Sequence, residues 1–113
     1  MRLQYSELEN GIRLIKLNGT LDIHGTDAIE VEFVRRCIGE NLRVIVDLSK
    51  VNYISSIGIP MLINSAKSVV RHGGKLVLLH PQRAVEDILE LAGIPLIIPI
   101  CESLDKAILA VKN

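Results

Sequence analysis

The chain has 113 residues, of which 49% are hydrophobic and 23% are charged, and these fractions are typical of a folded globular protein rather than a disordered one. A chain of this length buries roughly two-thirds of the surface that it exposes when unfolded, so we expect a single domain over residues 1–113. The 13 basic and 13 acidic residues cancel, which excludes the basic surface of a typical nucleic-acid-binding protein and the polybasic segment that holds an anionic membrane.

Nothing in the sequence predicts secretion, a membrane segment or a metal site. The opening residues MRLQYSELENG lack the apolar core of a secretory signal, and no apolar run reaches the roughly 18 residues of a membrane span. Cys37 and Cys101 belong to no C-x-x-C or Cys/His pattern, so we predict neither a zinc site nor a disulfide and interpret both as small core residues. We expect a cytoplasmic protein without a metal or cofactor.

The first predicted element is a β-hairpin. The apolar segments LQYSEL and IRLIKL flank Asn10 and Gly11, a pair that favours the positive φ angles of a tight type I′ turn. A first helix is predicted from Asp27 to Ile38, with Asp27 as its acidic N-cap and Glu30 as the capping partner. Its apolar residues recur every four positions, at Ile29, Phe33 and Cys37.

The middle of the chain predicts a buried strand followed by a helix. The β-branched run Val44 to Leu48 is typical of a strand covered on both faces in a parallel sheet. From Ile57 to His72 the apolar residues follow the spacing of a half-buried helix that ends at a pair of glycines. The predicted buried residues of this helix are Ile59, Leu62, Ile63, Ala66, Val69 and Val70.

The last third predicts two more strand and helix pairs. KLVLL is a strand, a helix then runs from Pro81 to Gly93, LIIPI is a further strand, and a final helix carries Leu104 and Val111. The predicted order is β β α β α β α β α. Strands that alternate with helices require right-handed crossovers between parallel strands, so the sequence predicts the α/β class, with one antiparallel strand from the opening hairpin.

Two adjacent serines, Ser55 and Ser56, follow the most apolar strand. Ligands of α/β sheets bind at the carboxyl ends of the strands, and we expect the loop from Ser49 to Ser56 to lie at that edge. A serine before a helix commonly caps its first turn, which stabilises the helix by about 1 kcal/mol. A helix start also stabilises a phosphate group, so a phosphoacceptor serine is the alternative interpretation, and the position alone does not separate the two.

Two segments, GTLDIHGTDAIEVEF and VIVDLSKVNYISSIGIPML, resemble the STAS family of anti-sigma factor antagonists. The first contains a G-x-L-D turn, and the second follows the strand-loop-helix pattern hydrophobic-D-L-S-x-V-x-[YF]-[IM]-[DS]-S-x-G-[LI]. The hairpin, the element order and the length agree as well. The resemblance implies the STAS fold, a mixed and mostly parallel sheet of about five strands with an N-terminal hairpin and about four helices.

The resemblance also implies a function and a set of residues. In that family the serine two positions before the motif glycine is phosphorylated by a kinase that is itself the anti-sigma factor. The matching serine here is Ser56 and the glycine is Gly58. The G-x-L-D aspartate, which lies beside the phosphorylated turn in the family, matches Asp22. The family's binding face includes the second helix.

Three residues depart from the commonest antagonist pattern. Ser55 replaces a frequent aspartate, Ile57 replaces a small residue, and Pro60 stands where glycine is usual. Proline lacks the N–H that would bond back to the Ser56 carbonyl, so we expect either a helix that starts one residue late or a distorted first turn.

Two other function classes fit the sequence less well. A response-regulator receiver needs clustered acids at two strand ends to hold Mg²⁺ and a lysine after its fifth strand, and neither is present. An enzyme with a serine nucleophile needs a base beside Ser55 or Ser56. Of the three histidines, His24 follows the neighbouring strand, and we interpret it as a solvated loop side chain. We predict a protein that is not an enzyme and has no small-molecule substrate.

The predicted function is a bacterial partner-binding switch. Unphosphorylated, the protein binds an anti-sigma factor serine kinase; phosphorylation of Ser56 releases it, and a serine phosphatase resets it, which regulates transcription without direct contact with nucleic acid or membrane. The alternative is an unphosphorylated STAS subunit of a lipid-transport or sensory complex. The predicted partner-binding residues are Asp22, Ser55, Ile57, Gly58, Met61, Lys67 and Arg71, with Ile57 and Met61 as exposed apolar contacts and Lys67 and Arg71 as cations for an acidic partner.

Overall fold

A computed structural model describes residues 1–112 and contains one five-stranded sheet, in which the strands lie in chain order. β1 pairs antiparallel with β2, and every later pair is parallel. The strands are β1 (Arg2–Glu7), β2 (Arg13–Leu21), β3 (Arg43–Ile54), β4 (Lys75–Leu79) and β5 (Ile100–Cys101). The helices are α1 (Ile23–Arg36), α2 (Gly58–Arg71), α3 (Arg83–Leu91) and α4 (Leu104–Lys112). The predicted α/β class and element order are confirmed.

The sheet separates two cores. The larger core contains buried side chains of α1, α2 and α3, and the smaller one lies under α4. Successive residues of a strand face opposite sides of the sheet, so Val44 and Val46 join the larger core while Ile45 joins the smaller. This two-sided burial explains the unbroken apolar run in the sequence.

The hairpin loop is wider than predicted. Asn10 and Gly11 have φ angles of 66° and 74°, so the prediction of positive φ is confirmed at both residues. The tight two-residue turn is wrong, because residues Glu9–Gly11 form a 3-10 turn and the Leu8 N–H donates to the Ile12 carbonyl oxygen at 2.7 Å.

Helix α1 starts earlier than the sequence predicted. It begins at Ile23, and its N-cap is Asp22 instead of Asp27. The apolar stripe begins at Ile29, so it does not report the first turn of the helix, and that turn is set by the G-x-L-D aspartate. The stripe itself is confirmed, since Ile29, Phe33 and Cys37 are all buried.

Strand β3 is longer than predicted, and the predicted loop from Ser49 to Ser56 is wrong up to Ile54. After Asp47, β3 no longer pairs with β4, but its second half continues to pair with β2, through two register shifts, until Leu21 lies opposite Ile54. The polar residues of this half indicated a loop, although Val51 and Ile54 within it are buried. The loop therefore shrinks to residues 55–57.

The last predicted strand, in contrast, is shorter in the structure than the sequence predicted. Of LIIPI, only Ile100 belongs to a strand, while residues Ile94–Leu96 form a 3-10 turn after Gly93, whose φ is 74°. Prolines at positions 95 and 99 limit the backbone donors that a longer strand would need. Helix α3 begins at Arg83, two residues after the predicted start.

Both cysteines are free and buried, in agreement with their interpretation as core residues. Burial raises the pKa of the Cys37 thiol to about 11, so this side chain stays a neutral thiol at physiological pH. Within residues 1–112, no helix is long and apolar enough to cross a membrane.

Candidate functional site

The candidate site lies where β2 and β3 end side by side at the carboxyl edge of the sheet. Leu21 and Ile54 are register partners, and each is the last residue of its strand. Asp22 follows the first of these strands, and Ser55 and Ser56 follow the second. The structure therefore brings the aspartate and the two serines to one edge, as the sequence predicted.

Ser55 is held in place by three hydrogen bonds. Its N–H and its hydroxyl donate to the Leu21 carbonyl oxygen, at 2.9 and 3.1 Å. Its hydroxyl oxygen also accepts from the Ile57 N–H at 3.2 Å. The side chain is half-buried. Ser55 therefore fixes the turn to the end of β2 and performs the structural role that either serine could have had.

Ser56 is exposed, and among residues 1–112 no group forms a hydrogen bond with its hydroxyl. A buried hydroxyl needs a partner, whereas an exposed one is satisfied by water and is free to react. The two serines thus differ completely although they are adjacent. Of the two serines, Ser56 is the one whose side chain is open to solvent.

The first turn of α2 accommodates Pro60 without losing a helical hydrogen bond. The helix begins at Gly58 after the N-cap Ile57, so of the two expected alternatives, a late start or a distorted first turn, the structure shows a start one residue late. Pro60 is then the third helical residue, a position at which a backbone N–H would have no partner within the helix, so the missing N–H of proline costs no helical hydrogen bond. The Gly58 N–H donates to the Ser55 carbonyl oxygen at 3.0 Å. Since Ser55 also engages the Ile57 N–H, this helix start offers fewer free donors near Ser56 than an ordinary one.

Gly58 is a packing residue, and its predicted role as a partner contact is wrong because it is buried. A Cβ atom at this position would lie 3.1 Å from both the Cβ and the carbonyl oxygen of Leu21, and 3.3 Å from Ile54 Cγ1. Such distances are tighter than ordinary van der Waals contact. The glycine lets the start of α2 approach the ends of β2 and β3.

Asp22 caps helix α1 beside the serine turn. Its Oδ1 accepts from the Gly25 N–H at 2.8 Å, and the preceding residue, Leu21, supplies the carbonyl oxygen that holds Ser55. The carboxylate also lies at the positive end of the α1 dipole, which favours its charge. Asp22 therefore lies next to the turn, as the resemblance implied, and positions the backbone there.

Exposed apolar side chains surround this edge. Ile57 is 49% exposed, as predicted from its place outside the buried stripe. Ile23, which follows Asp22, and Tyr53, whose register partner is Thr20, are also exposed. Neither residue was predicted as an exposed contact from the sequence. Period-two alternation could not have found Tyr53, because Asn52 and Tyr53 are both exposed between buried Val51 and Ile54 and the register with β2 shifts at this point.

The buried face of α2 is rotated relative to the prediction. Met61 is 3% exposed, so its predicted role as an exposed partner contact is wrong. Val70, predicted to be buried, faces outward at 61% exposure. Met61 lies instead in the space between α1 and α2, near Val34 and Cys37. The apolar pattern of α2 alone does not tell which of its two adjacent apolar rows is buried, because α1 covers one side of α2 in addition to the sheet.

Lys67 and Arg71 are exposed, as predicted, but they are far from the serine turn along α2. At about 1.5 Å per residue, Lys67 lies about 13 Å and Arg71 about 20 Å beyond Gly58 along the helix axis. The structure therefore groups Asp22, Ser55, Ser56 and Ile57 at one edge and leaves the two cations outside it.

Residues 6–107 match the STAS domain family. The chain belongs to the STAS family. A candidate anti-sigma factor antagonist of Bordetella bronchiseptica, BtrV, is 28% identical over 113 residues, which cover 100% of this STAS chain and 97% of the relative.

Solved structures of low sequence identity share the fold. A STAS domain protein from Planctomyces limnophilus superposes with a TM-score of 0.86 at 18% identity and covers 98% of both chains. The unphosphorylated form of the anti-sigma factor antagonist SpoIIAA gives a TM-score of 0.75 at 17% identity, covering 95% of this chain and 93% of its own. The phosphorylated form of SpoIIAA gives 0.67 at 16% identity, covering 95% and 96%.

Proposed function

We propose that this STAS protein is an anti-sigma factor antagonist that is switched by phosphorylation of Ser56. Unphosphorylated, it binds an anti-sigma factor serine kinase in the bacterial cytoplasm and thereby frees a sigma factor. Phosphorylation releases the kinase, and a serine phosphatase restores the binding form. The observation that carries this proposal is the contrast between Ser55, which is fully engaged by β2 and α2, and Ser56, which is exposed and unpaired within the described residues.

The docking surface proposed for the kinase is the carboxyl edge around Ser56. It consists of the exposed apolar side chains Ile23, Tyr53 and Ile57. Apolar and aromatic groups that are exposed in the free protein supply binding energy when a partner covers them. Asp22 and Ser55 contribute by holding the backbone of this edge in place, so that Ser56 is presented in one orientation.

Release follows from placing a phosphate inside this surface. A phosphoserine carries roughly −1.5 to −2 charges at neutral pH. In the free protein this charge is solvated, and the positive end of the α2 dipole favours it. In the complex the phosphate is desolvated next to the kinase's nucleotide, whose phosphates have the same sign. Like-charge contact of this kind costs several kcal/mol, so the complex dissociates.

The chain acts as a substrate and a ligand in this scheme, so its own residues need no catalytic base and no cofactor. Within residues 1–112, no histidine forms a hydrogen bond with Ser55 or Ser56. His24, the histidine nearest in sequence to Asp22, is exposed. This arrangement supports a binding protein over a serine hydrolase.

The test is phosphorylation of single-serine variants. The protein is incubated with ATP and the serine kinase that co-purifies with it from its native cell, and the phosphate is located by mass spectrometry. We expect one phosphate on Ser56, none in Ser56→Ala, and undiminished occupancy of Ser56 in the matched variant Ser49→Ala. Phosphate mainly on Ser55 or Ser49 would contradict the proposal. Recovery of membrane-transport subunits instead of a kinase would support the accessory-subunit alternative.

A further inference from the structure

A second exposed apolar surface lies at the far end of α2. A groove of about 330 Å³ is lined by Ala66, Lys67, Val70, Arg71 and Ile97, and we call it the α2 groove. Val70 is 61% exposed, and Leu96, the neighbour of Ile97, is 92% exposed. A cluster of exposed large apolar side chains on a small protein is a candidate surface for binding another molecule.

The α2 groove is separate from the Ser56 edge. Val70 is twelve residues beyond Gly58, so about 18 Å of helix lies between them. At this separation exposed charges interact weakly at physiological ionic strength, because the Debye length there is about 8 Å. A phosphate on Ser56 therefore leaves the electrostatic environment of the α2 groove nearly unchanged.

The α2 groove carries positive charge. Helix α2 has the sequence GIPMLINSAKSVVR, which contains Lys67 and Arg71 and no carboxylate. The two cations are four residues apart on one face, an arrangement that repels, and within residues 1–112 neither forms a salt bridge. Helices α1 and α3 differ, since each carries its own ion pair between residues four apart. The groove is therefore apolar with two uncompensated cations beside it.

We propose that the α2 groove binds an amphipathic helix of a partner protein, with an apolar face that packs on Val70, Leu96 and Ile97 and carboxylates that pair with Lys67 and Arg71. A helix fits because four of the lining residues lie on α2 and none belongs to a strand to which an extended peptide could add, whereas apolar grooves accept side chains at helical spacing. The acidic flanks follow from charge complementarity. Two cations are too few to hold an anionic membrane, which takes a cluster of about four to eight. This inference is independent of Ser56.

The experiment uses a defined probe with the whole chain. A synthetic amphipathic helix with leucines on one face and glutamates on both flanks is titrated into the isotope-labelled protein, and the backbone amide shifts are followed by NMR. We expect the shifts to cluster at residues 66–71 and 96–97. Val70→Ser should weaken binding at least tenfold. Val31→Ser, at an exposed valine of α1, and Ser56→Asp should each change the affinity less than twofold.

A charge exchange keeps the test decisive if Val70→Ser disturbs the helix. In the double variant Lys67→Glu and Arg71→Glu, the preference should invert, so that a peptide with lysine flanks binds more tightly than the glutamate peptide. Equal affinity of both peptides for the native protein, shifts at the Ser56 edge, or tight binding to anionic vesicles would overturn the proposal. A dimer in sedimentation analysis that Val70→Ser abolishes would assign the groove to self-association and would overturn it as well.

Discussion

The starts of α1 and α2 lie side by side at one edge of the sheet and differ in how their first turns are held. Each packs a glycine against the end of β2: Gly25 approaches the Thr20 carbonyl oxygen, and Gly58 approaches Leu21. In α1, the Asp22 side chain caps the helix through Gly25. The N-cap of α2 is Ile57, which has no capping side chain.

This difference shows how one of two equivalent helix starts stays available for a new charge. The positive end of α1 already has the carboxylate of Asp22. At α2 the local polar group, Ser55, is used to hold the turn against Leu21, and the next side chain, Ser56, is left exposed. A phosphate added there meets a helix dipole that no acidic side chain of the first turn has yet neutralised. The following predictions test this comparison.

The largest effect is expected for a phosphate at the α2 start. Phosphorylated Ser56 should weaken binding to the anti-sigma factor kinase by about 3 kcal/mol, which is roughly a hundredfold in affinity. Ser56→Asp, with less charge, should weaken it less, and Ser56→Ala should bind and never release. Titration calorimetry in the presence of ADP measures all of these forms. Equal affinities for the wild type, Ser56→Asp and the phosphoprotein would contradict the switch mechanism.

The next effect concerns the two glycines. Gly25→Ala places a Cβ in collision with the Thr20 carbonyl oxygen, and we expect a loss of about 3 kcal/mol in unfolding free energy. Gly58→Ala meets neighbours that need to move only slightly, so a loss of about 1 kcal/mol is expected. Urea unfolding measures both. A larger loss for Gly58→Ala than for Gly25→Ala would show that α2, not α1, is the more tightly packed start.

A third prediction compares the groups that hold each turn. Asp22→Ala and Ser55→Ala should each destabilise the protein by about 1 kcal/mol, since one removes a helix cap and the other removes hydrogen bonds of a half-buried turn. Their controls are Asp27→Ala and Ser56→Ala, at exposed positions, which should stay within about 0.5 kcal/mol. Thermal unfolding of the four variants is sufficient. If Ser56→Ala were as destabilising as Ser55→Ala, the proposed division of roles between the serines would fail.

The smallest effect is expected at Pro60. Pro60→Ala should keep the fold and change its stability by less than about 1 kcal/mol, because no helical hydrogen bond is lost or gained at this position. It adds one N–H to the first turn, so the phosphoprotein should gain a few tenths of a kcal/mol relative to the unphosphorylated form. The rate of phosphorylation should also change. An unchanged rate and an unchanged stability difference between the two forms would mean that the proline has no influence on Ser56.

The sequence by itself determined the features that depend on local pattern. Alternating strands and amphipathic helices predicted the α/β class and the element order, because hydrophobic periodicity reports which face of an element is buried. The motif around Ser56 predicted the location of the candidate site. The chemistry of proline predicted either a late helix start or a distorted first turn at Pro60, and the structure shows the late start. The positive φ angles of Asn10 and Gly11 were also predictable from the sequence, because they depend on the residue type.

Only the tertiary structure decided the features that depend on a neighbouring element. The second half of β3 looks like a loop in sequence and is a strand because β2 continues beside it. Met61 is buried and Val70 is exposed because α1 covers one side of α2, and the helical pattern is compatible with either row facing inward. The position of Ser55 and Ser56 before a helix also left their roles open, and only the family resemblance pointed to Ser56 as the phosphoacceptor. The carbonyl oxygen of Leu21 selects the structural serine, and the sequence does not show that this oxygen lies within hydrogen-bonding distance.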